Sequence, residues 1–493
     1  MVKQTQLRRQ FDIEQETARS TFASSSEAAT GLANKRSVGS SNPATETSVH
    51  HPEEMRFELA LAERSTSSCN LRSFPISSAL PTGDVMIRSS SASKPLLAAL
   101  LVTLMQIAMA VGLLAPEGPL SYRYSTLVQH DSYWFMNIVD RGYRTIVPPI
   151  DHKVMEVSNV AFFPAYPAIA SVLRYGLHID TDNALLITAQ IAAWGFWSYF
   201  FLFCGRWNLS PALQFFGALS ILAHPAAFFL IAGYSESLFL MALLGFIYWS
   251  SAEGRTAKVW AMLHGIVMSA TRIVGILCAA FPVVRSVFAK GWRGWRGPVA
   301  WFHDHGSAIG LSFAATLGAL TFFVCCQLRW GHWDIYMLTQ AAGWGIIPDY
   351  LAVFKPSSYR WLVPALNNPT EASQISMTLG ALLFGVIALC ELLPAVRRLA
   401  GWPTRAGIYF CAAVIYCISV SGVACVGMES MLRYEFCVHA LIVLAVLNFL
   451  GQLHNSPIFL RAFGMAAAVL VGAAGLSVQG WYVWNFTRGN WVA

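Results

Sequence analysis

Four charged side chains in this sequence have the types and surroundings that chemistry on a phosphate-linked group requires. Glu236, Arg272 and Arg433 lie in otherwise apolar stretches, and Asp131 opens a short amphipathic segment between two apolar runs. A charge inside an apolar segment is unfavourable unless it is paired, so such residues are functional candidates by default. A carboxylate such as Asp131 can remove a proton from an attacking hydroxyl group. The arginines suit phosphate oxygens, because one guanidinium can bind two of them at once.

The intramembrane charges also have structural alternatives. Arg272 could form an ion pair with Glu236 that serves only to hold two helices together. Arg433 could reach the membrane interface with its long side chain, or it could pair with Glu429 or Glu435. The sequence leaves both alternatives open.

The elements that must position these residues are those of a membrane protein. Of the 493 residues, 55% are hydrophobic and 12% are charged, whereas soluble domains usually carry about 25% charged residues. Residues 1–94 hold 11 of the 33 Lys and Arg and 10 of the 26 Asp and Glu. We expect residues 1–94 to be a disordered cytosolic tail and residues 95–493 to be an all-α polytopic domain of about 10–13 transmembrane helices. Translation could start at Met1 or at Met86.

The apolar runs are long enough to cross the hydrocarbon core as helices. Val160–Leu177 is one candidate, although Pro164 and Pro167 bend its start. The clearest spans are Pro95–Leu114, Ala184–Phe203, Ala212–Leu230, Leu238–Ser251, Ser307–Leu328, Ile375–Leu393, Gly407–Val426, Phe436–Leu450 and Phe463–Val483.

Basic residues mark the cytosolic side, and here they cluster in short loops, which favours membrane topology over nucleic-acid binding. The stretch between Lys258 and Arg285 is short for two spans. A pair of half-helices parted at residues 269–272 would resolve this, and the alternative is one span with one basic loop outside. The predicted cytosolic loops are Glu253–Lys258, Arg285–Arg296, Arg397–Arg405 and Gln452–Arg461. The predicted non-cytosolic loops are Ala115–Asn159 and Arg329–Ala372.

The first non-cytosolic loop contains an amphipathic segment that starts at Asp131. Apolar residues recur in it at helical spacing, at Trp134, Phe135, Ile138 and Val139. We expect a helix that lies with this apolar face on the bilayer surface and has Asp131 as its N-cap. In the alternative interpretation, Asp131 does nothing more than cap this helix.

The second loop combines aromatic residues with His332 and Asp334. Its Trp and Tyr residues could stack on a sugar or form an interfacial aromatic belt. Two possible metal ligands without a third are weak evidence, so we predict no required metal. The cysteines are scattered through apolar runs without metal or redox spacing, and we interpret them as core residues.

Five motifs follow one another in a fixed order. They are HDSYWFMNIVDRGY at 130–143, AFFPAYP at 161–167, YSESLF at 234–239, ATRIVG at 270–275 and MLRY at 431–434. This set resembles the PIG-V family of mannosyltransferases, over residues 95–450. The family has Trp where this chain has His130, and an acidic residue after its Gly-Tyr pair where this chain has Arg144. Glu156 is the candidate for that acidic position.

The resemblance implies a GT-C-type membrane glycosyltransferase. It would move a hexose, expected to be mannose, from a polyprenyl- or dolichyl-phosphate donor to a glycan or glycolipid acceptor outside the cytosol, with inversion. Asp131 would be the catalytic base. The donor phosphate or sugar would be bound by Arg433, Arg272, Glu236 and Tyr434. Secondary candidates are Glu156, Asp140 and Asp334.

These expectations include the surroundings of the protein. The partners would be membrane lipids, the lipid-linked donor and the acceptor, with no nucleic acid and no further cofactor. A bacterial plasma membrane is favoured, and the endoplasmic reticulum applies if the source is eukaryotic. Two rival functions remain. A polytopic transporter or lipid flippase would place its ionisable groups near the midplane. A non-catalytic scaffold would cover Asp131 with a packed helix.

Overall fold

The computed structural model describes residues 93–145, 158–290, 297–359, 378, 380–385, 387, 389, 391, 401–452 and 458–492. Contacts divide the chain after Gly83, and all of these residues belong to the second unit, Asp84–Ala493. Every regular element in the described ranges is helical, which confirms the predicted all-α fold. The predicted tail, except its last two residues, and nine of the 19 residues of the predicted span Ile375–Leu393 lie outside the described residues.

The helices follow the apolar runs of the sequence. In chain order they are α1 (Ser93–Ile107), α2 (Leu120–Ser125), α3 (Asp131–Arg141), α4 (Ala165–Ser171), α5 (Thr181–Arg206), α6 (Pro211–Leu222), α7 (Glu236–Ser250), α8 (Arg255–Thr271), α9 (Gly275–Cys278), α10 (Phe281–Lys290), α11 (Pro298–Trp330), α12 (Ile335–Trp344), α13 (Trp402–Val423), α14 (Met431–Gly451) and α15 (Ile458–Phe486). A 3-10 helix spans Pro225–Leu230, and short π or 3-10 turns extend α1 to Leu114, α4 to Gly176 and α13 to Val426.

Several helices are suited to a bilayer by length and composition. Among the described residues, five qualify as membrane spans: α1 and α13 with their extensions, α5, α11 and α14. The helices α6 and α7 are apolar but shorter. The chain is therefore a polytopic membrane protein, as predicted. The total of about 10–13 spans stays a prediction.

Two of the predicted spans are wrong. Val160–Leu177 contains seven α-helical residues and a five-residue π turn, because Pro164 lies ahead of the helix start. That gives about 18 Å of helix, against a hydrocarbon core of about 30 Å. Ala212–Leu230 divides at Pro225, so that α6 ends at Leu222 and a 3-10 helix follows. Proline cannot continue an α-helix, because it lacks the N–H and clashes with the preceding turn.

The helical path breaks at Arg272. Helix α8 ends at Thr271, Arg272 is extended with φ −150° and ψ 144°, and α9 begins at Gly275. This break lies where the sequence predicts two half-helices. Gly275 permits the close return of the chain, because a Cβ there would lie 2.6 Å from the Met268 carbonyl oxygen. Arg272 consequently sits at a helix end instead of within a helix.

The helices pack around α7 and α14. Helix α7 contacts α5 and α8, and α8 contacts α11, while α13 contacts both α14 and α10.

A second buried charge lies near the last turns of α14. The buried Arg405 guanidinium lies 3.1 Å from a Glu391 oxygen and donates to the Asn448 side chain at 3.1 Å. Asn448 lies about 22 Å along α14 from Arg433. The hydrogen bond from Arg405 to Asn448 therefore joins α13 to α14 at the end of α14 away from Arg433.

Close packing of α8 on α11 gives a prediction for Gly318. A Cβ at Gly318 would lie 2.1 Å from the Ile266 carbonyl oxygen and 2.8 Å from the Ala270 nitrogen. We expect Gly318→Ala to force the helices apart and to lower the free energy of unfolding by about 1–3 kcal/mol, measured as thermal unfolding in detergent. Gly310 is the matched control on the same helix, since a Cβ there meets nothing within 4 Å. Equal melting temperatures for Gly318→Ala and Gly310→Ala would contradict this packing.

Candidate active site

The structure brings together the four charged residues that the sequence singled out. Arg433 Nη1 donates to Asp131 Oδ2 at 2.6 Å, across 302 positions of sequence. Arg433 Nε lies 3.3 Å from Glu236 Oε1, and Arg272 Nη1 lies 3.2 Å from the same oxygen. We call this set, Asp131, Glu236, Arg272 and Arg433, the Asp131 cluster. Its two carboxylates and two guanidinium groups balance in charge, which makes their burial tolerable.

Three of the described helices begin at the Asp131 cluster. Asp131 is the first residue of α3, Glu236 is the first residue of α7, and Arg433 lies in the first turn of α14. A helix N-terminus carries a partial positive charge and unpaired N–H groups, so it stabilises carboxylates and binds anions such as phosphate. The convergence of three such ends, together with two arginines, makes this region strongly favourable for an anionic ligand.

The predicted capping role of Asp131 is wrong. His130, with φ 50°, precedes the helix, and Asp131 is already its first helical residue. The Asp131 carboxylate accepts a hydrogen bond from Arg433. The cap was predicted from local sequence, whereas the partner that fixes this carboxylate comes from the distant helix α14.

Aromatic rings surround the Arg433 guanidinium. Its central carbon lies 5.2–5.8 Å from the ring centroids of Tyr234, Tyr434, Phe229 and Trp491. The Arg272 guanidinium carbon lies 5.1 Å from the Tyr434 ring. Such rings attract the cations and exclude water, which strengthens the electrostatic interactions among the charges. Tyr434, predicted to bind the donor, therefore contacts both arginines.

The four side chains of the Asp131 cluster differ in solvent exposure, which determines which of them a substrate can reach. The side chain of Asp131 is 23% exposed and that of Arg433 is 6% exposed. For Arg272 and Glu236 the values are 16% and 1%. Asp131 is thus the member most accessible to a substrate hydroxyl group, whereas Glu236 lies deepest and balances both arginines.

Several polar atoms around the cluster lack a protein partner. Among the described residues, buried atoms without a hydrogen bond include Ser132 Oγ, Ser237 Oγ and Glu236 Oε2. Each belongs to the first turn of α3 or α7. Buried polar groups are normally satisfied by protein, water or ligand, so these atoms leave hydrogen-bonding capacity beside the charged groups.

Two further ionisable residues near the cluster have shifted pKa values. Burial raises the pKa of Tyr234 well above its ordinary value, and the Asp131 carboxylate raises it further. The Tyr234 hydroxyl stays protonated and donates to the Gln129 carbonyl at 3.2 Å. Burial also raises the pKa of Glu429, and Asp131 adds to that rise while Arg433 opposes it. Glu429 therefore holds a proton more tightly than an ordinary glutamate.

The loop that carries Glu429 has an unusual backbone. Its neighbours Met428 and Ser430 both have φ of 66°, a conformation that residues other than glycine rarely adopt. Such conformations persist where the surrounding structure determines them, and they concentrate at functional sites. The sequence had offered Glu429 only as a possible ion-pair partner of Arg433.

Two of the three secondary candidates, Asp140 and Asp334, make their contacts outside the Asp131 cluster. Asp140 lies near the other end of α3, about 13 Å along the helix, where its carboxylate accepts a hydrogen bond from Thr181 at 2.6 Å. Asp334 precedes α12, with one carboxylate oxygen 3.9 Å from His332 Nδ1. Glu156 lies outside the described residues. In the described part of the chain no group of three or more His, Cys, Asp or Glu side chains could hold a metal ion. The expectation that no metal is required stays a prediction.

The structure decides two of the alternative ion pairs that the sequence left open for the arginines. Arg433 pairs with Asp131 and Glu236, while Glu435 lies 2.6 Å from His224 Nε2. Pairing of Arg433 with Glu435 is therefore wrong. The alternative pair of Arg272 with Glu236 does form, but Glu236 Oε1 is shared with Arg433. It is one link in a continuous network that ends at Asp131.

The apolar face of α3 packs on protein, so its predicted position on the bilayer surface is wrong. Phe135 and Val139 are buried against α4 and α5, with the Phe135 and Tyr166 rings 4.8 Å apart. Trp134 meets Trp344 of the second loop at a ring distance of 5.4 Å. An amphipathic pattern indicates that one face is covered but does not identify what covers it. Trp344, in the loop after α11, thus braces the helix that begins at Asp131 through its contact with Trp134.

Of the four aromatic residues around Arg433, sequence reasoning found Tyr434 and missed Phe229, Tyr234 and Trp491. A signal existed for Tyr234, because it is the first residue of the Glu236 motif, and Phe229 lies five positions before it. Trp491 lies beyond α15, outside all five motifs. With 17 Trp and 31 Phe in the chain, one more aromatic residue gave no sequence signal.

The fold and the site together define an all-α polytopic membrane protein with a buried, charge-balanced cluster at converging helix starts. Among solved structures, the chain is similar to ArnT from Cupriavidus metallidurans bound to undecaprenyl phosphate, with 14% identity, a TM-score of 0.45, and coverage of 81% of this chain and 77% of that one. It is also similar to the oligosaccharyltransferase AglB from Archaeoglobus fulgidus in complex with an inhibitory peptide and a dolichol-phosphate, with 12% identity and a TM-score of 0.39. That match covers 81% of this chain and 56% of AglB, so this chain spans little more than half of the AglB chain.

No protein-family model and no curated protein matches the sequence. The resemblance to the PIG-V family therefore stays a prediction.

Proposed function

We propose that this chain is a GT-C-type membrane glycosyltransferase that moves a hexose from a polyprenyl-phosphate donor to an acceptor outside the cytosol. The observation that carries the proposal is the Asp131 cluster itself. A partly exposed carboxylate lies within one hydrogen bond of a buried arginine, at a point where three described helices begin. Mannose as the hexose is proposed from the five motifs.

The arginines are suited to hold the donor phosphate. A guanidinium has five N–H groups. Among the described residues, Arg433 donates from Nη1 to Asp131 and from Nη2 to the Tyr434 hydroxyl, and its Nε lies 3.3 Å from Glu236 Oε1 without a hydrogen bond. Each Nη carries a second N–H that these contacts do not use. A phosphate could therefore bind Arg433 without breaking its pair with Asp131, and the helix N-termini would add to its stabilisation.

Asp131 is suited to be the base. In the proposed reaction the acceptor hydroxyl oxygen attacks the anomeric carbon and its proton passes to the Asp131 carboxylate. The new bond joins the acceptor oxygen to that carbon as the bond to the phosphate oxygen breaks. The electron pair leaves with polyprenyl phosphate, whose added negative charge is stabilised by Arg433 and Arg272. A single displacement of this kind inverts the anomeric configuration.

The position of the charges supports an enzyme over a transporter or flippase. Asp131 and Glu236 are first residues of helices, Arg433 lies in a first turn, and Arg272 follows the last residue of α8. Transport sites lie near the midplane and are also built from the ends of broken helices, so helix ends alone do not separate the two functions. The support for an enzyme is the partly exposed Asp131 carboxylate, which begins a helix in the long loop after α1 and so suits a reaction at the boundary between water and lipid.

The proposal is tested by supplying the purified protein with radiolabelled polyprenyl-phosphate mannose and a chloroform–methanol extract of host membranes as acceptor. We expect labelled product and release of polyprenyl phosphate, both followed by mass spectrometry. GDP-mannose in place of the lipid donor should give neither. Transfer from the nucleotide sugar alone, or movement of the lipid across vesicles without any sugar transfer, would overturn the assignment.

A further inference from the structure

The segment after α15 is held firmly against the rest of the protein. It turns back on itself through hydrogen bonds from Gly489 N to the Phe486 carbonyl at 2.9 Å and from Asn490 N to the Asn485 carbonyl at 3.2 Å. Arg488 donates to the Leu114 carbonyl at 3.0 Å, which ties this turn to the end of the α1 extension. The segment is thus a built part of the fold.

This turn places Trp491 at the Asp131 cluster. The Trp491 ring packs edge-on against His130, with centroids 5.0 Å apart, and His130 directly precedes Asp131. The Arg433 guanidinium carbon lies 5.8 Å from the Trp491 ring centroid. A residue far along the chain from the other site residues therefore forms part of the wall around the charged groups.

The indole nitrogen of Trp491 has no protein partner. Within the described part of the chain, Trp491 Nε1 is buried and makes no hydrogen bond. An indole N–H can only donate, and a buried donor without an acceptor is unfavourable. Nearby lie Arg433, which also offers only donors, and the first turn of α3. The two carboxylates of the Asp131 cluster leave the Trp491 N–H and the second N–H groups of Arg433 unused, so an anionic oxygen of a ligand would satisfy these donors.

We propose that Trp491 is a further binding residue for the donor, with its indole N–H donating to an oxygen of the donor phosphate. This inference rests on the proposed function, and it adds a phosphate contact that none of the five motifs contains. The phosphate would contact both the Arg433 guanidinium and the edge of the indole ring that carries the N–H group. The contact would tighten donor binding and leave acceptor binding unchanged.

The test measures binding of undecaprenyl phosphate, which has no sugar, to the full chain in detergent. Trp491→Phe keeps an aromatic ring and removes the N–H group. We expect it to weaken binding about tenfold, as for loss of one hydrogen bond to a charged group. In transfer assays the KM for the donor should rise similarly, with the KM for the acceptor unchanged. Trp481→Phe, at a 45% exposed position of α15, is the matched control and should bind within about twofold of wild type.

Two further measurements separate the outcomes. Replacement of Trp491 by benzothienylalanine keeps the ring shape and puts sulfur in place of the N–H, so it loses the hydrogen bond without disturbing the packing. If wild type binds undecaprenyl phosphate and both Trp491 variants bind equally well, the Trp491 contact is overturned while the proposed function stands. If wild type itself does not bind undecaprenyl phosphate, the proposed function fails.

Discussion

Replacing Asp131 with asparagine is expected to lower kcat for sugar transfer by about 10²- to 10⁴-fold, the range typical for removal of a general base. Asparagine has the same shape and can still accept the hydrogen bond from Arg433 Nη1 through its amide oxygen. It cannot accept the proton of the attacking hydroxyl group. The measurement is single-turnover transfer from a saturating lipid donor, so that binding and chemistry are separated.

The control for Asp131→Asn lies on the same helix. Asp140→Asn changes a carboxylate that hydrogen bonds to Thr181, away from the Asp131 cluster. We expect it to keep transfer within about threefold of wild type, consistent with its position outside the site. The melting temperature of Asp140→Asn should stay close to that of wild type, whereas Asp131→Asn leaves the cluster with one excess positive charge and should melt at a lower temperature, so transfer is measured where both variants are folded. Transfer by Asp131→Asn at more than a tenth of the wild-type rate would mean that another group accepts the proton.

The second large effect is expected at Glu236. This carboxylate is 1% exposed and lies within 3.3 Å of nitrogens of both arginines, at 3.2 Å from Arg272 and 3.3 Å from Arg433. Glu236→Ala would leave one buried positive charge without compensation. We expect the free energy of unfolding to fall by about 3–5 kcal/mol, the usual consequence of removing one member of a buried ion pair.

A second substitution tests whether this loss comes from charge imbalance. Glu236→Ala combined with Arg272→Met restores neutrality, and the flexible methionine fills part of the arginine volume. We expect the double variant to recover much of the stability lost in Glu236→Ala and to remain inactive in sugar transfer, because Arg272 no longer holds the leaving phosphate. Unfolding in detergent and transfer are measured on the same samples. Strictly additive losses of stability would contradict direct coupling between the two residues.

Charged side chains and backbone groups without hydrogen bonds are both very unfavourable in lipid. The features that follow from this could be predicted from the sequence. The long apolar runs could only be helices, and the described residues confirm this. Glu236, Arg272 and Arg433 stood out because charges in apolar segments need partners, and the structure pairs them with one another and with Asp131. The break at Arg272 was one of two alternatives for the stretch between Lys258 and Arg285, and the structure contains it.

The features that sequence reasoning missed depend on tertiary packing. The apolar face of α3 could have met lipid or protein, and periodicity cannot tell these apart. Asp131 was expected to cap its own helix, because its partner Arg433 lies 302 positions away. The sequence did not indicate that Trp491 belongs to the site for the same reason, since only the turn after α15 brings it to His130. Local patterns identified the charged residues of the site but did not identify all of the aromatic residues that surround Arg433.

The most direct measurement of the central claim is the position of a bound lipid phosphate. We expect a cryo-electron microscopy structure of the full chain in nanodiscs with undecaprenyl phosphate to place the phosphate within about 3 Å of the Arg433 guanidinium, on the side where Asp131 is accessible. Phosphate bound at the other end of α14, beside the buried Arg405 and Asn448, with none at the Asp131 cluster, would contradict the account.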